Sequence, residues 1–381
     1  MKARSPSVHF SAILLGGKCP SVFIPGHSTN AASNAALRDM DWDAGLSPSQ
    51  TLQPSFACVE LFGQSVLERT VARCKKAGLR TISVIAASDC ISLHETRDIR
   101  IAIPKRAEDR WSIVKRALLK DLQNGIDTVL IAELGAYVEL DLPAALQFHR
   151  TMAQAVTPIH DAQGSLSYWI VDAARVLADQ NFSLPPDHGI VDAPVPYQVE
   201  GYVNRLADAA DFRRLVVDAF LGRCAIRPTG REIKPGVWIE DGARLHKTAR
   251  LVAPTYVGCN TRVQAGAVIT RFSNLERNCH VGQGSVVSDA SLLPHTLIGR
   301  GLDVSSALVD RTDFTDLGRN ITLRIQDPSL ISDVPPQKQY VPAYLPEYEE
   351  VDRTSADAGL EYFEYLSRAK GRLLEVFKGG V

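Results

Sequence analysis

From Ile233 onward, the chain repeats an aliphatic residue every six positions. The register is unbroken across Ile233, Ile239, Leu245, Leu251, Val257, Val263, Ile269, Leu275, Val281, Val287 and Leu293. Such a short fixed period is typical of a solenoid, and neither the 3.6-residue period of a helix nor the two-residue period of a strand explains it. The repeat predicts triangular parallel coils in which each hexad forms one side and its aliphatic side chain points inward. We therefore expect the five side chains from Val257 to Val281 to be buried together.

The residues before the repeat alternate between segments typical of buried strands and segments typical of amphipathic helices. The strand-like segments are residues 10–15, 81–87 and 128–132, and the helix-like segments are residues 65–76, 108–122, 142–151 and 207–221. This alternation predicts a doubly wound α/β domain with a parallel sheet. The predicted domains are residues 1–227, with a polar loop insertion at 25–54, then the hexapeptide-repeat region at 228–325. A proline-rich tail and an amphipathic helix at 360–377 complete the chain at 326–381.

Bulk composition excludes several classes of partner. A net charge of −1 and a pI near 6.8 give no electrostatic argument for binding nucleic acid. The seven cysteines are scattered without a CxxC pair, which indicates a reducing compartment rather than a disulfide framework. The short apolar run after Lys2 and Arg4 reads as a buried strand rather than a signal peptide, and no run approaches membrane-spanning length. The expected location is the cytoplasm.

Four segments of the first half carry a family resemblance. They read FSAILLGG, CVELFGQSVLERTVARCKKAGLRTISVIAA, LIAELGAYVELDLPAALQFHR and GYVNRLADAADFRRLVVDAFLGR, in this order. In order and spacing they resemble the sugar-1-phosphate nucleotidyltransferases, which make nucleotide sugars. With the hexads behind them, the whole chain resembles bacterial pyrophosphorylases that carry a C-terminal hexapeptide-repeat domain. The resemblance implies that this second domain is a left-handed parallel β-helix.

The resemblance also implies where a site would lie. The turn at Gly16 and Gly17 would place backbone against the nucleotide. Family members hold Mg²⁺ with two aspartates, and the matching positions here are Ala136 and Arg205. Alanine supplies no oxygen ligand, and arginine reverses the charge. No lysine stands near Ala57 where a phosphate-binding lysine is expected. The implied protein is therefore a homologue without metal-dependent catalysis that binds a nucleotide or sugar phosphate, or that partners an active enzyme, in nucleotide-sugar or polysaccharide metabolism.

Other chemistry stays open. Glu133 and Asp141 flank the first altered position, so an active nucleotidyltransferase with displaced Mg²⁺ ligands is one alternative. Otherwise no cofactor is expected. Arg205 would either hold a phosphate in place of the metal or form a surface salt bridge. Hexapeptide-repeat acyltransferases use a histidine base, so His246, His280 and His295 make acyl transfer a further alternative to simple exposed turn residues.

The hexad pattern also bears on assembly. Trp238, Tyr256 and Val268 point outward by their phase, and the terminal helix at 360–377 has an apolar face. Exposed apolar surface of this kind needs a covering partner. We expect a homo-oligomer, and the resemblance to hexapeptide-repeat proteins suggests a trimer.

Overall fold

The computed structural model describes residues 10–16, 56–86, 96, 98–103, 110–178 and 194–334. The chain divides into two compact units, Met1–Val334 and Pro335–Val381. The second unit lies outside the described residues, and so do the predicted insertion at 25–54, the helix at 360–377 and Gly17. Among the helices that the structure describes, none has the length and apolar character needed to span a membrane.

The region before the hexads contains short and long strands with five helices between them. In chain order these are β1 (Phe10–Gly16), β2 (Glu60–Leu61), β3 (Gln64–Ser65), α1 (Val66–Lys76), β4 (Thr81–Ile85), β5 (Ile99–Ala102), α2 (Arg110–Gln123), β6 (Thr128–Leu134), β7 (Tyr137–Val138), α3 (Leu142–Met152), β8 (Val156–Asp161), β9 (Gly164–Asp172), α4 (Ala173–Ala178), β10 (Tyr197–Gln198), β11 (Val203–Asn204) and α5 (Ala209–Phe220).

Seven of these strands form one mixed sheet in the order β10-β8-β9-β6-β1-β4-β5. Strand β1 runs parallel to β4 and β6, whereas β9 is antiparallel to both β6 and β8. Alternate residues of β1 face two separate apolar cores, since Leu14 packs with residues of α1 and α5 and Ile13 packs with residues of α2 and α4. The region is thus a mixed α/β fold with helices on both faces of a largely parallel sheet.

Local sequence explains where these helices start. Ser65 caps α1 by accepting from the amide of Glu68, and the Glu68 carboxylate accepts from the Ser65 amide, which is a complete capping box. Asp141 and Asp208 are the N-caps of α3 and α5, and their side chains accept from the amides of Ala144 and Asp211. These caps satisfy amides that have no partner inside the helix.

The hexad region is a series of short strands from residue 231 to residue 333. They are β12 (Arg231–Lys234), β13 (Val237–Ile239), β14 (Arg244–Leu245), β15 (Arg250–Leu251), β16 (Thr255–Val257), β17 (Arg262–Val263), β18 (Val268–Thr270), β19 (Ser273–Leu275), β20 (His280–Val281), β21 (Val286–Ser288), β22 (Ser291–Leu292), β23 (Thr296–Ile298), β24 (Asp303–Ser305), β25 (Ala307–Asp310), β26 (Asp313–Asp316), β27 (Ile321–Arg324) and β28 (Ile331–Asp333).

Three sheets run side by side along this region, which we call the three-sheet region. Parallel partners stand 18 residues apart in the first coils, as Val257 and Leu275 do, and 17 apart in the later ones, as Leu275 and Leu292 do, so each coil contributes one strand to each sheet. The five side chains expected to be buried together, Val257, Val263, Ile269, Leu275 and Val281, are all buried in one apolar cluster, which confirms that prediction. Antiparallel pairing of β28 with β23 carries the sheets beyond residue 325, the predicted end of this region.

The ends of the predicted register are wrong. Ile233 and Leu245 are 47% and 36% exposed, because no earlier coil covers them. At the other end, Leu292 rather than Leu293 points into the coil core, and Leu293 packs with the first region instead. The repeat shortens by one residue between Val287 and Leu292. Strict six-residue counting therefore selects the neighbour of the inward residue from that point onward.

One face of the three-sheet region is covered by the chain's own α/β region. Tyr256 is fully buried, with its ring 5.2 Å from that of Phe62, and the ring of Trp238 lies 5.8 Å from that of Phe220. The expectation that outward aromatic residues cover a subunit contact is therefore wrong for Tyr256, and the partly buried Trp238 packs against the α/β region of its own chain. Their apolar surface packs within the same chain.

Candidate functional site

The predicted site lies at the carboxyl ends of the parallel strands. Gly16 ends β1 and lies beside Leu134 at the end of β6, while Leu15 lies between Ile85 and Glu133. In open α/β sheets, ligands bind in the crevice beyond these strand ends. Gly16 and Glu133 are therefore at the correct edge of the sheet for a ligand site. The other glycine of the turn, Gly17, lies outside the described residues.

The two positions expected to carry metal-binding aspartates adjoin the same pair of strands. Strands β7 and β11 form an antiparallel ribbon in which Tyr137 lies opposite Asn204 and Val138 opposite Val203. Ala136 directly precedes β7 and Arg205 directly follows β11, so each stands one residue beyond the paired Tyr137 and Asn204. Residues 69 positions apart in sequence thus adjoin the same strand pair, and neither supplies the carboxylate that the resemblance requires.

Arg205 forms an ion pair with Asp161. Its Nη2 lies 2.5 Å from Oδ1 of Asp161 and its Nε lies 3.2 Å from Oδ2, so the guanidinium grips the carboxylate through two donors. Nη1 and Nη2 also donate to the carbonyl oxygens of Ser165 and Gly164. Four of the five N–H groups of Arg205 are therefore committed to the β8–β9 hairpin. One N–H of Nη1 is left for any other ligand.

The partner carboxylate is held in its charged form. Burial alone would raise the pKa of Asp161, but the hydrogen bond from Arg205 and the backbone hydrogen bonds from Gln163 and Gly164 outweigh it, and the pKa is lowered. Asp161 is therefore ionised at neutral pH and balances the Arg205 charge. This matches the salt-bridge alternative for Arg205, and its role toward a phosphate stays a prediction.

The two spare carboxylates differ in what they already do. Asp141 accepts the amide of Ala144 at 3.0 Å as the cap of α3, so its oxygen serves the helix. Glu133 is buried, 7% exposed, and is the penultimate residue of strand β6, two positions before Gly135. Among the described residues, no group of three or more His, Cys, Asp or Glu side chains is placed to hold a metal ion together.

The three histidines of the three-sheet region do not form a cluster. His246 is exposed and its Nδ1 lies 2.9 Å from Oγ1 of Thr248, and His295 stands in a turn with φ of 66°. His280 lies within strand β20, with its Nε2 2.8 Å from Nε2 of Gln264. Burial is the main cause that lowers the pKa of both His280 and His295. His280 lines a cleft together with Gln264.

A buried carboxylate that sequence reasoning missed joins the two regions. Glu276 is fully buried, and its two oxygens accept the amides of Phe62 and Gly63 at 2.9 and 3.0 Å. Asn274 donates to the same carboxylate at 2.7 Å, and Asn274 in turn lies 3.4 Å from the buried guanidinium of Arg213. Because glutamate is ordinarily exposed, no pattern within the hexads distinguishes this position.

The turn that meets Glu276 requires glycine. Gly63 has φ of 77°, and a Cβ placed on it would lie 2.5 Å from Oγ1 of Thr229 and 2.6 Å from an oxygen of Glu240. Any side chain here would push the β2–β3 turn away from the three-sheet region. The contact between Gly63 and Glu276 therefore depends on both residues.

Comparison of the chain with models of known protein families and with curated protein sequences finds no match.

Proposed function

We propose that this chain is a homologue of the sugar-1-phosphate nucleotidyltransferases that binds a nucleotide or sugar phosphate without transferring it. The observation that supports the proposal is the β7–β11 strand pair, because Ala136 and Arg205 each stand one residue beyond its paired Tyr137 and Asn204. Phosphoryl-group chemistry depends on positioning and on neutralising charge with a metal ion and basic groups. Arg205 and Asp161 neutralise each other, and Ala136 carries no charge. The two expected metal positions therefore offer Mg²⁺ no carboxylate.

We interpret the three-sheet region as a left-handed parallel β-helix. Three parallel sheets with partners 18 residues apart support this interpretation. The handedness comes from the family resemblance. We further propose that the chain acts in the cytoplasm as a homo-oligomer, for which a trimer is the arrangement that the resemblance suggests.

Binding at the strand ends would use backbone more than side chains. The two glycines Gly16 and Gly17 predict a turn after β1 whose main-chain amides would bind an anion. Arg205 would add its single uncommitted N–H and a charge that Asp161 largely offsets. The expected affinity is therefore modest and independent of metal.

Titration calorimetry without metal tests this proposal with a panel of nucleotides and sugar phosphates. We expect Arg205→Ala to weaken binding of the ligand that the native chain binds. The matched control is Arg214→Ala, because Arg214 is an exposed arginine paired with Asp211 on α5. Absence of binding across the panel would overturn the proposal, and so would equal weakening by the two variants.

A further inference from the structure

One sheet of the three-sheet region carries stacked positive charge on its outer surface. In the sheet formed by β14, β17, β20, β23 and β28, Arg244 lies in register beside Arg262, and Arg262 beside His280. Like charges on directly opposed positions of neighbouring strands are destabilising. Within the part of the chain that the structure describes, the guanidinium groups of Arg244 and Arg262 make no ion pair and no hydrogen bond. Their charge is therefore uncompensated.

A cleft of about 460 Å³ opens beside these residues. Its polar wall includes the side chains of Gln264, His280 and Arg300, and its apolar wall includes Leu297 and Leu330. No acidic side chain is among its lining residues. Arg300 resembles Arg262 in having an uncompensated guanidinium among the described residues. The cleft thus combines one unpaired lining cation, Arg300, with apolar contact surface, and Arg262 stands on the strand next to its lining residue His280.

The imidazole of His280 lines this cleft and is hydrogen-bonded to Gln264. Nε2 of Gln264 lies 2.8 Å from Nε2 of His280, so the carboxamide donates to that ring nitrogen and Nδ1 carries the proton. Burial first, and then the positive charge of Arg262, lower the pKa of His280. The ring is therefore neutral at neutral pH, with one N–H available to an oxyanion.

We propose that this cleft binds a small phosphorylated molecule. Arg300 contacts the phosphate from the cleft wall, Arg262 adds positive charge from the neighbouring strand beside His280, His280 donates to one of the phosphate oxygens, and Leu297 and Leu330 contact the apolar part of the ligand. A phosphate dianion matches two unpaired guanidinium groups, which bind such oxygens through paired N–H donors. A carboxylate monoanion would leave one charge unbalanced. The site is separate from the strand-end site and does not depend on the proposed function.

Nuclear magnetic resonance of ring-labelled histidine tests the proposal, because its readout belongs to His280. The chain has nine histidines, and the spectrum of a His280→Gln variant identifies the His280 signal by its disappearance. Inorganic phosphate is titrated at pH 8 and constant ionic strength, with acetate as the carboxylate arm. We expect a saturable shift of the His280 signal with phosphate and not with acetate. Phosphate bound at the strand-end site would leave this signal unmoved.

Variants complete the test. Arg262→Gln and Arg300→Gln should each weaken phosphate binding about tenfold, which corresponds to loss of one charge-assisted contact. Arg250→Gln is the matched control, since Arg250 is an exposed arginine of the neighbouring sheet that lies in register beside Val268. A His280 signal that phosphate does not move would overturn the proposal. Equal weakening by Arg250→Gln and Arg262→Gln, or an equal response to acetate, would also overturn it.

Discussion

Replacing Glu276 by alanine should destabilise the chain more than any exposed glutamate variant. The change strands the amides of Phe62 and Gly63, both of which donate to the Glu276 carboxylate. A buried amide without a partner costs about 1–3 kcal/mol, so the two together cost about 2–6 kcal/mol. Removing the carboxylate relieves part of this cost, because burial raises the pKa of Glu276 and its charged form is itself expensive to bury. The net expectation is a loss of about 2–4 kcal/mol.

Urea unfolding measures this loss, and Glu232 supplies the matched control. Its carboxylate accepts the amide of Gly236 at 2.7 Å in an exposed setting, where water replaces the lost partner. We expect Glu232→Ala to change the free energy of unfolding by no more than about 0.5 kcal/mol. A loss of unfolding free energy in Glu276→Ala as small as that in Glu232→Ala in the same experiment would refute this expectation.

Three further changes have defined outcomes. Ile269→Asp places an unpaired carboxylate in the apolar coil core, so thermal unfolding should show a loss above about 4 kcal/mol, whereas the outward Thr270→Asp should be mild. Burial, opposed by Arg277, raises the pKa of the Glu60 carboxyl to about 7. The folded chain therefore favours the protonated carboxyl. The stability that this adds is complete below about pH 4.5 and is lost as the pH rises through 7. Urea unfolding at pH 5 and pH 8 should therefore show a decline, of up to about 3 kcal/mol, that Glu60→Gln flattens; an unchanged profile in the variant would contradict this. Asp161→Asn should free Arg205 and strengthen anion binding in calorimetry, and weaker binding would show that the pair must stay intact.

The buried residues of the coils could be predicted from the sequence, because each packs on a residue at a fixed distance along the chain. An inward side chain such as Ile269 contacts the equivalent residue of the next coil, so periodicity alone identifies it. The prediction failed where that spacing changes, at Leu293. It also failed at Leu245, where the stack has no earlier coil to cover it.

The polar contacts of Glu276 and Arg205 could not be predicted from the sequence, because the partners of these residues lie far away along the chain. Glu276 depends on a turn that is 213 residues distant, and Arg205 depends on an aspartate that is 44 residues distant. Nothing in the local pattern distinguishes a buried glutamate from the exposed ones around it. The match of Ala136 and Arg205 to two metal-binding positions follows from the resemblance, whereas the pairing of Arg205 with Asp161 required the structure.

Pyrophosphate release is the most direct test of the central claim that the strand-end site binds without transferring. The native chain is incubated with Mg²⁺, nucleoside triphosphates and sugar-1-phosphates, and release is followed over time. We expect no release above the level seen with either substrate alone, because Ala136 and Arg205 stand where two carboxylates are required. Steady release that depends on both substrates would contradict the claim, and its loss in Glu133→Gln would establish displaced metal ligands instead.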